Sequence, residues 1–250
     1  MGDTPVSDTP VTGKRYVVVI PTYNEAENIV ALLPEVHALA PNLDVLVVDD
    51  GSPDGTGQIV AGIAAQDPRV RLISRKGKLG LGTAYVAGFK DCLARGYDVI
   101  CQMDCDFSHQ PKYLLEFFRE IETNDMVIGS RYIAGGATED WPLKRKILSK
   151  GGNFYARTIL GLPLSDLTGG FKCWRREVLE AIDLDTVGAA GYAFQMEMNF
   201  RTFRKGFRIK EIPITFPDRT RGESKLGQGI FWESLKVPWR LRFKAAKSRS

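Results

Sequence analysis

Val99-Ile100-Cys101-Gln102-Met103-Asp104-Cys105-Asp106 is the stretch on which the reading of this chain turns. Its first five residues are uncharged and too short a run for a helix, so they read as a buried strand. The strand ends at Asp104, and two carboxylates then stand two residues apart. The same pattern recurs upstream. Tyr16-Val-Val-Val-Ile20 reads as a buried strand, Asn24 as a helix cap, and Ile29, Leu32, Leu33 and Val36 follow at helical spacing. Val45–Val48 is a second strand, ending in Asp49-Asp50-Gly51. Gly55 to about Ala65 reads as helix and Val70–Ile73 as strand; glycine-rich Gly77–Gly82 then leads into a helix through Phe89 and Leu93. Downstream, Pro111 opens a helix and Met126–Ile128 is a strand. This alternation predicts an α/β fold: a mostly parallel sheet with helices on both faces. Ligands of such sheets bind at the carboxyl ends of the strands, where the acidic clusters stand.

The second half is less regular. Lys144–Leu160 reads as a basic, then apolar helix, Ser165–Gly170 as a loop and Phe194–Phe203 as a helix. Ile209–Phe216 reads as a strand that Pro213 confines to an edge. No linker separates the halves. The expected organisation is a disordered tail over 1–14, one catalytic domain over 15–228 and a basic amphipathic segment over 229–250. Pro238 is expected to bend or break any helix in that last segment.

With 250 residues, 44% of them hydrophobic, the chain can bury a sizeable core. It has no run of about 18 apolar residues and no secretory leader. The expectation is a cytoplasmic protein, peripheral on the cytoplasmic face of a membrane. Four cysteines without a C-x-x-C pair, and two histidines, disfavour a zinc site. The net charge is +4, yet from Arg219 onward nine Lys and Arg face two Glu, so the tail is basic and the body slightly acidic. That asymmetry suits an anionic partner or a solvated terminal helix equally. Phe231, Trp232, Trp239 and Phe243 mix with these cations, which suits either an interfacial segment or a helix packed on the domain. No nucleic-acid reading motif is present, so nucleic acid is not an expected partner.

Asp104 and Asp106 can converge on one hard cation, Mg²⁺ or Mn²⁺, which keeps positions open for diphosphate oxygens. After the first strand, Pro21 can end the strand, Tyr23 can stack on a base and Glu25 can accept hydrogen bonds. Asp50 can do the same after the second. Each has an ordinary reading as a strand stop, a turn former or a first-turn charge. Their gathering at neighbouring strand ends favours a ligand. Gly77-Lys-Leu-Gly-Leu-Gly82-Thr83 lacks the lysine before Thr83 that a P-loop needs, and no G-x-G-x-x-G follows the first strand, which disfavours an NTPase or dehydrogenase. Arg131 follows a strand, and Arg145 and Ser149 lie one helical turn apart. Arginine forks suit phosphate, though surface basicity explains them too. Asp218-Arg-Thr-Arg-Gly-Glu-Ser-Lys225 gathers three cations around a glycine, as a diphosphate clamp or an exposed loop.

A set of ordered motifs now carries a resemblance: Ile20-Pro-Thr-Tyr-Asn-Glu-Ala-Glu-Asn28, Val48-Asp-Asp-Gly-Ser-Pro-Asp-Gly-Thr56, Met103-Asp-Cys-Asp-Phe-Ser-His-Gln-Pro111, Gly129-Ser-Arg-Tyr132, Ser165-Asp-Leu-Thr-Gly-Gly-Phe171, Gly191-Tyr-Ala-Phe-Gln-Met-Glu197 and Gly222-Glu-Ser-Lys225. From about residue 16 to 235 the chain resembles the polyprenyl-phosphate (dolichol-phosphate) mannosyltransferases of glycosyltransferase family 2. The resemblance implies the GT-A fold, GDP-mannose as donor, polyprenyl phosphate lipid as acceptor and a divalent metal. It puts Pro21, Tyr23, Glu25, Val48 and Asp50 around the nucleotide, and Asp104, Cys105 and Asp106 at ribose, diphosphate and metal, with Asp104 and Asp106 as ligands. It gives Arg131, Arg219 and Lys225 to donor phosphates, Arg131, Arg145 and Ser149 to the lipid phosphate, and Gln195 and Glu197 to the sugar's surroundings. Asp104, Asp106, Arg131 and Lys225 are the implied catalytic set. Cys105 stands where the family usually has Ala, and Ser108 where some members place a Gln ligand. Two alternatives remain: a UDP-glucose-dependent glucosyltransferase on the same lipid, and a non-catalytic scaffold for a membrane enzyme. Membrane contact is expected directly or through a membrane protein partner.

Overall fold

The computed structural model describes residues 13–188, 191–217 and 235–243. The expected tail up to residue 12, Arg219, Lys225 and the rest of the terminal segment lie outside them.

Runs of β-branched residues make the centre, because such side chains pack well on a pleated surface. β1 (Tyr16–Thr22), β2 (Asp44–Asp49) and β3 (Val70–Ser74) pair in parallel, with Val18 opposite Val45 and Val47 opposite Leu72. β4 (Val99–Gln102) flanks β1 on its other side. β5 (Met126–Ser130) pairs in parallel with β8 (Ile209–Pro213), which closes the sheet as the edge strand. Between β4 and β5 runs β7 (Lys172–Arg175), antiparallel to both, giving the order β3-β2-β1-β4-β7-β5-β8. β6 (Ala137–Thr138) and β9 (Thr215–Phe216) form a small separate pair. The second half of the chain thus contributes two strands to the sheet of the first.

Helices cover both faces. α1 (Ala26–Leu39), α2 (Thr56–Ala64) and α4 (Leu114–Glu120) pack on one, around Ile29, Leu32, Val60 and Phe117. α3 (Leu81–Ala94), α5 (Leu143–Leu160), α6 (Arg176–Ala181) and α7 (Tyr192–Arg204) pack on the other, around Phe89, Leu160, Leu179 and Phe194. Residues 235–243 form a further helix, α8, whose Val237 and Leu241 join that second cluster.

Two expectations need correction. Asn24 does not cap α1: it sits at φ 58° in the left-handed region, and no side-chain cap is made from within the segment. The cap comes from the β2–α2 loop instead. Asp54 Oδ2 accepts the Ala26 amide at 3.1 Å, and Thr56 Oγ1 accepts the Glu25 amide at 3.0 Å. Pro238 does not break α8, which is helical on both sides of it over the described residues 235–243.

α3 presses on the sheet through Gly88. A Cβ there would stand 2.5 Å from Val19 Cγ1 and 3.3 Å from Val48 Cγ2. Gly88→Ala should therefore destabilise the protein by about 1–3 kcal/mol through overpacking. Gly62→Ala in α2, with open space around it, should be neutral or slightly stabilising. Thermal unfolding of the two variants checks this; equal melting temperatures would refute the close approach.

Candidate active site

The turn after β4 fixes its two carboxylates unequally. Asp104 Oδ1 accepts the Tyr85 hydroxyl of α3 at 2.7 Å, and its backbone amide donates to His109 Nδ1 at 2.8 Å. Burial, reinforced by the Asp104 charge, holds the Tyr85 pKa well above its ordinary value, so it stays a donor. His109 is buried, stacked on Phe171 at 4.9 Å. Because its Nδ1 accepts, its ring proton sits on Nε2 and the imidazole is neutral. Phe107 at φ 60° turns the chain so that the Ser108 amide and hydroxyl both reach Asp106 Oδ1. Ser108 therefore orients Asp106.

Among the described residues no group of three His, Cys, Asp or Glu could cage a metal. Two adjacent oxygen donors with a neighbouring diphosphate are what a hard ion such as Mg²⁺ uses, so Asp104 and Asp106 fit one. Cys105 between them is buried in the core, and burial raises its thiol pKa, with the Glu25 charge adding to the effect. It remains a protonated, small core residue.

On the β1–β2 side, carboxylates are already engaged. Asp49 accepts Thr22 Oγ1 at 2.9 Å and the Ser52 amide at 3.0 Å. Asp50 Oδ2 accepts the amides of Leu79 and Gly80, both at 3.0 Å, and Arg75 Nη1 stands 2.8 Å from Asp50 Oδ1. Asp50 thus pins the glycine-rich loop. The loop comes close enough that a Cβ on Gly51 would lie 2.9 Å from the Gly77 amide. It also brings the Lys78 ammonium to 4.5 Å from the Tyr23 ring. Pro21 lies within β1, in register with Val48 of β2. Glu25 Oε2 accepts Asn28 Nδ2 at 2.6 Å. Val48 is fully buried, so its side chain belongs to the core.

Across the site, Arg131 follows β5 and is buried. Its Nε and Nη2 fork onto the two oxygens of Asp166, each at 2.7 Å, and Nη2 also reaches Thr168 Oγ1 at 2.8 Å. Burial alone would raise the Asp166 pKa. The Arg131 charge and fork, with the amides of Arg131 and Gly169, hold it below the ordinary carboxylate value. Trp141 carries two cations: Arg145 at 3.8 Å from the ring centre and Arg131 at 5.5 Å. Ser149 accepts the Tyr132 hydroxyl at 2.6 Å. Arg131, Arg145, Ser149 and Thr168 meet Trp141, Leu148, Tyr155, Met196 and Leu235 around a pocket of about 410 Å³.

The 165–170 loop joins the two sides. A Cβ on Gly170 would lie 3.5 Å from both Asp104 Oδ2 and Gln195 Nε2, so Gln195 does approach the aspartate turn. Gln195 is aimed by Lys172, a fully buried residue of β7 whose Nζ donates to Gln195 Oε1 at 2.8 Å and to its carbonyl at 3.1 Å. With Oε1 taken, the amide presents its Nε2–H₂ to the site. Burial pushes the Lys172 pKa well below that of an ordinary lysine, against the pull of Asp166. Glu197, nearby on α7, instead accepts Arg201 Nε at 3.0 Å. Tyr85, His109, Trp141, Asp166 and Lys172 were not singled out from the sequence. The motifs Met103–Pro111 and Ser165–Phe171, which contain His109 and Asp166, were the available signals.

Residues 17–183 match the family model described as Glycosyl transferase family 2, and the chain belongs to that family. Its fold is GT-A. Glucosyl-3-phosphoglycerate synthase from Mycobacterium tuberculosis, in complex with Mn²⁺, UDP and glucosyl-3-phosphoglycerate, superposes with a TM-score of 0.62 at 20% identity, covering 92% of this chain and 77% of that one. More similar in sequence are two curated relatives. The undecaprenyl-phosphate mannosyltransferase of Micrococcus luteus is 49% identical over 221 residues, 88% of this chain and 91% of the relative. The polyprenol monophosphomannose synthase of Mycolicibacterium smegmatis is 44% identical over 252 residues, 99% of this chain and 94% of the relative. The resemblance read from the motifs is borne out.

Asp166→Asn should cost about 3–5 kcal/mol near neutral pH, because it leaves the Arg131 charge buried without its counter-charge. Folding lowers the Asp166 pKa, so its contribution is complete above the unfolded value of ~3.9. It declines as pH falls below that, through the folded value. The gap between wild type and variant in urea unfolding should narrow in that acid range; a constant gap would contradict the pairing.

Lys172→Met removes the donor that aims Gln195, and turnover should fall on the order of 10- to 100-fold. Protonation of this lysine opposes folding below the unfolded value of ~10.4. The wild type should therefore gain stability over Lys172→Met as pH rises from neutrality toward that value. A pH-independent difference would show that Lys172 is not desolvated.

Proposed function

We propose that this chain transfers mannose from GDP-mannose to a polyprenyl phosphate, with inversion at the anomeric carbon, giving polyprenyl-phosphate-mannose and GDP. The observation that carries the reading is the pocket of about 410 Å³, whose lining combines arginines and hydroxyls with aromatic and aliphatic side chains. A phosphate attached to an isoprenoid chain combines the same two chemistries. The names of the two bacterial relatives point to the same acceptor class and sugar.

In this reading Tyr23 and Lys78 face the donor's base, and Gln195 donates to a sugar hydroxyl or a diphosphate oxygen. Arg219 and Lys225 contact the donor phosphates. Asp104 and Asp106 would hold Mg²⁺ or Mn²⁺, whose chemistry there is to neutralise charge on the leaving diphosphate. Arg145 and Ser149, with Arg131 behind them, orient the acceptor phosphate. An acceptor oxygen attacks C1 in line as the C1–O bond to the β-phosphate breaks, and GDP leaves with the electron pair. The acceptor is a phosphate monoester whose second pKa lies near ~6, so it arrives mostly as a dianion and needs no side-chain base. The lipid acceptor puts the reaction at a membrane, on its cytoplasmic face.

The test is radiolabel transfer from GDP-[¹⁴C]mannose to polyprenyl phosphate in detergent with divalent metal, with UDP-glucose in parallel. Label should pass to the organic phase from GDP-mannose. Asp106→Ala should reduce it by about 100-fold or more, and Glu197→Gln by clearly less. Transfer from UDP-glucose alone would move the donor specificity. Transfer from neither would favour a scaffold. Comparable losses in the two variants, both folded, would refute the mechanism without a base.

A further inference from the structure

Trp141 stands where two arginines of the site meet. Its ring centre lies 3.8 Å from the Arg145 guanidinium and 5.5 Å from that of Arg131. The indole is buried, only 7% exposed, and it lines the pocket. Its N–H has no hydrogen-bond partner among the described residues. A buried donor ordinarily finds one, so the nitrogen does not account for an indole at this position. What the indole does offer is its face, the best of the aromatic faces for a cation.

The backbone fixes that face in place. Asp140, at φ 57°, turns the chain between β6 and α5, and the Glu139 amide donates to the Phe216 carbonyl at 3.0 Å. Phe216 then meets the indole edge to face, 5.6 Å between centres at 87°. Pro142 follows as the N-cap of α5, and Arg145 falls in the first turn with Lys144 and no acidic residue. A helix N-terminus is the positive end of the dipole, so cations there are unfavourable unless something offsets them. The ring offsets part of that cost for Arg145, and an anion in the pocket would offset more. The two arginines are also held differently. Arg131 is held by its edge, with Nε and Nη2 directed at Asp166. Arg145 is held by its face. The N–H donors of a guanidinium lie in its plane, so a ring against the face sets the directions in which they point. A half-buried arginine without such a ring keeps more of its rotamers.

We infer that Trp141 is a positioning residue for the acceptor's phosphate: it sets the plane of the Arg145 guanidinium, so that the N–H edge is already aimed when a phosphate enters the pocket. The inference rests on the reading that Arg145 meets that phosphate, and it adds the residue that orients the arginine. Its benefit is preorganisation, since rotamer freedom given up in the folded protein is not lost again on binding.

Calorimetric binding of farnesyl phosphate, a short isoprenyl phosphate, tests it in the absence of donor and metal. Trp141→Leu should weaken binding roughly tenfold, and Trp141→Phe, which keeps a smaller aromatic face, by less. Arg145→Met removes the group that the ring orients. In that background Trp141→Leu should have little further effect, because its action runs through the guanidinium. Farnesol, which lacks the phosphate, should bind wild type and Trp141→Leu alike. In turnover, Trp141→Leu should raise the KM for polyprenyl phosphate and leave that for GDP-mannose unchanged. Additive losses in the double variant would overturn the inference and leave the indole a packing residue. An equal loss of farnesol binding would also overturn it, assigning the ring to the isoprenoid chain, and so would a wild type that does not bind farnesyl phosphate. Should Trp141→Leu fail to fold, Trp141→Phe in the same cycle decides by the same criterion. Failure of mannose transfer with the binding cycle intact would instead count against the enzymatic reading, because binding is measured without it.

Discussion

Asp166 is fully buried, and a buried carboxylate persists only where its charge and lone pairs are met. Here they are met by one arginine fork, the Arg131 amide at 3.1 Å and the Gly169 amide at 3.0 Å. The loop's own Ser165 and Asp166 amides are in turn taken by Glu211 of β8 at 2.9 and 3.0 Å. These bonds leave the 165–170 loop one path. It must pass over the end of β5, bring Gly170 against the Asp104 turn and enter the sheet as β7. The positions of Arg131, Gln195 and Asp104 relative to one another are therefore set by one buried ion pair. Such a pair adds little net stability compared with well-packed apolar residues, yet it specifies the geometry.

Four aspartates stand near the carboxyl ends of β2 and β4, and their surroundings give them different work. Asp49 and Asp50 are surrounded by hydroxyls, amides and an arginine of this chain, and they hold loops together. The hydroxyls of Tyr85 and Ser108 donate to Asp104 and Asp106 and orient these two carboxylates in the turn after β4. The difference lies in what the bonds hold, loops in one case and the direction of a carboxylate in the other.

That difference also marks where the sequence stops being legible. β2 and β4 could be read directly, since apolar runs end abruptly in acids, and β1 as a β-branched run that meets Pro21. The partners of Asp50 lie 29 and 30 residues away, and that of Arg131 lies 35 away, so no local pattern announces them. The cap of α1 failed as a reading for the same reason: Asp54 and Thr56 supply it from another loop. β7 was missed because Lys-Cys-Trp-Arg has four residues, no period and a lysine where a central strand ordinarily places an apolar residue. The exception is Lys172 itself, a buried charge-bearing group of the kind that sequence rules misplace at functional sites.

The same accounting bears on the chemistry. A transferase that deprotonates its acceptor needs a base within reach, and the described candidates are engaged elsewhere. His109 Nδ1 is occupied by the Asp104 amide. His37 sits in the last turn of α1 near Asp67, on the far side of the sheet from α7. Glu197 accepts the guanidinium of Arg201, which in turn donates to the Thr186 carbonyl at 2.7 Å. Lys172 Nζ is directed at Gln195. What the pocket does provide is cations, hydroxyls and an apolar wall. Those groups orient an anion that is already a nucleophile; they do not create one. Among the described lining residues there is no Asp, Glu or His, and a phosphate monoester, unlike an alcohol, brings its own charge to such a pocket.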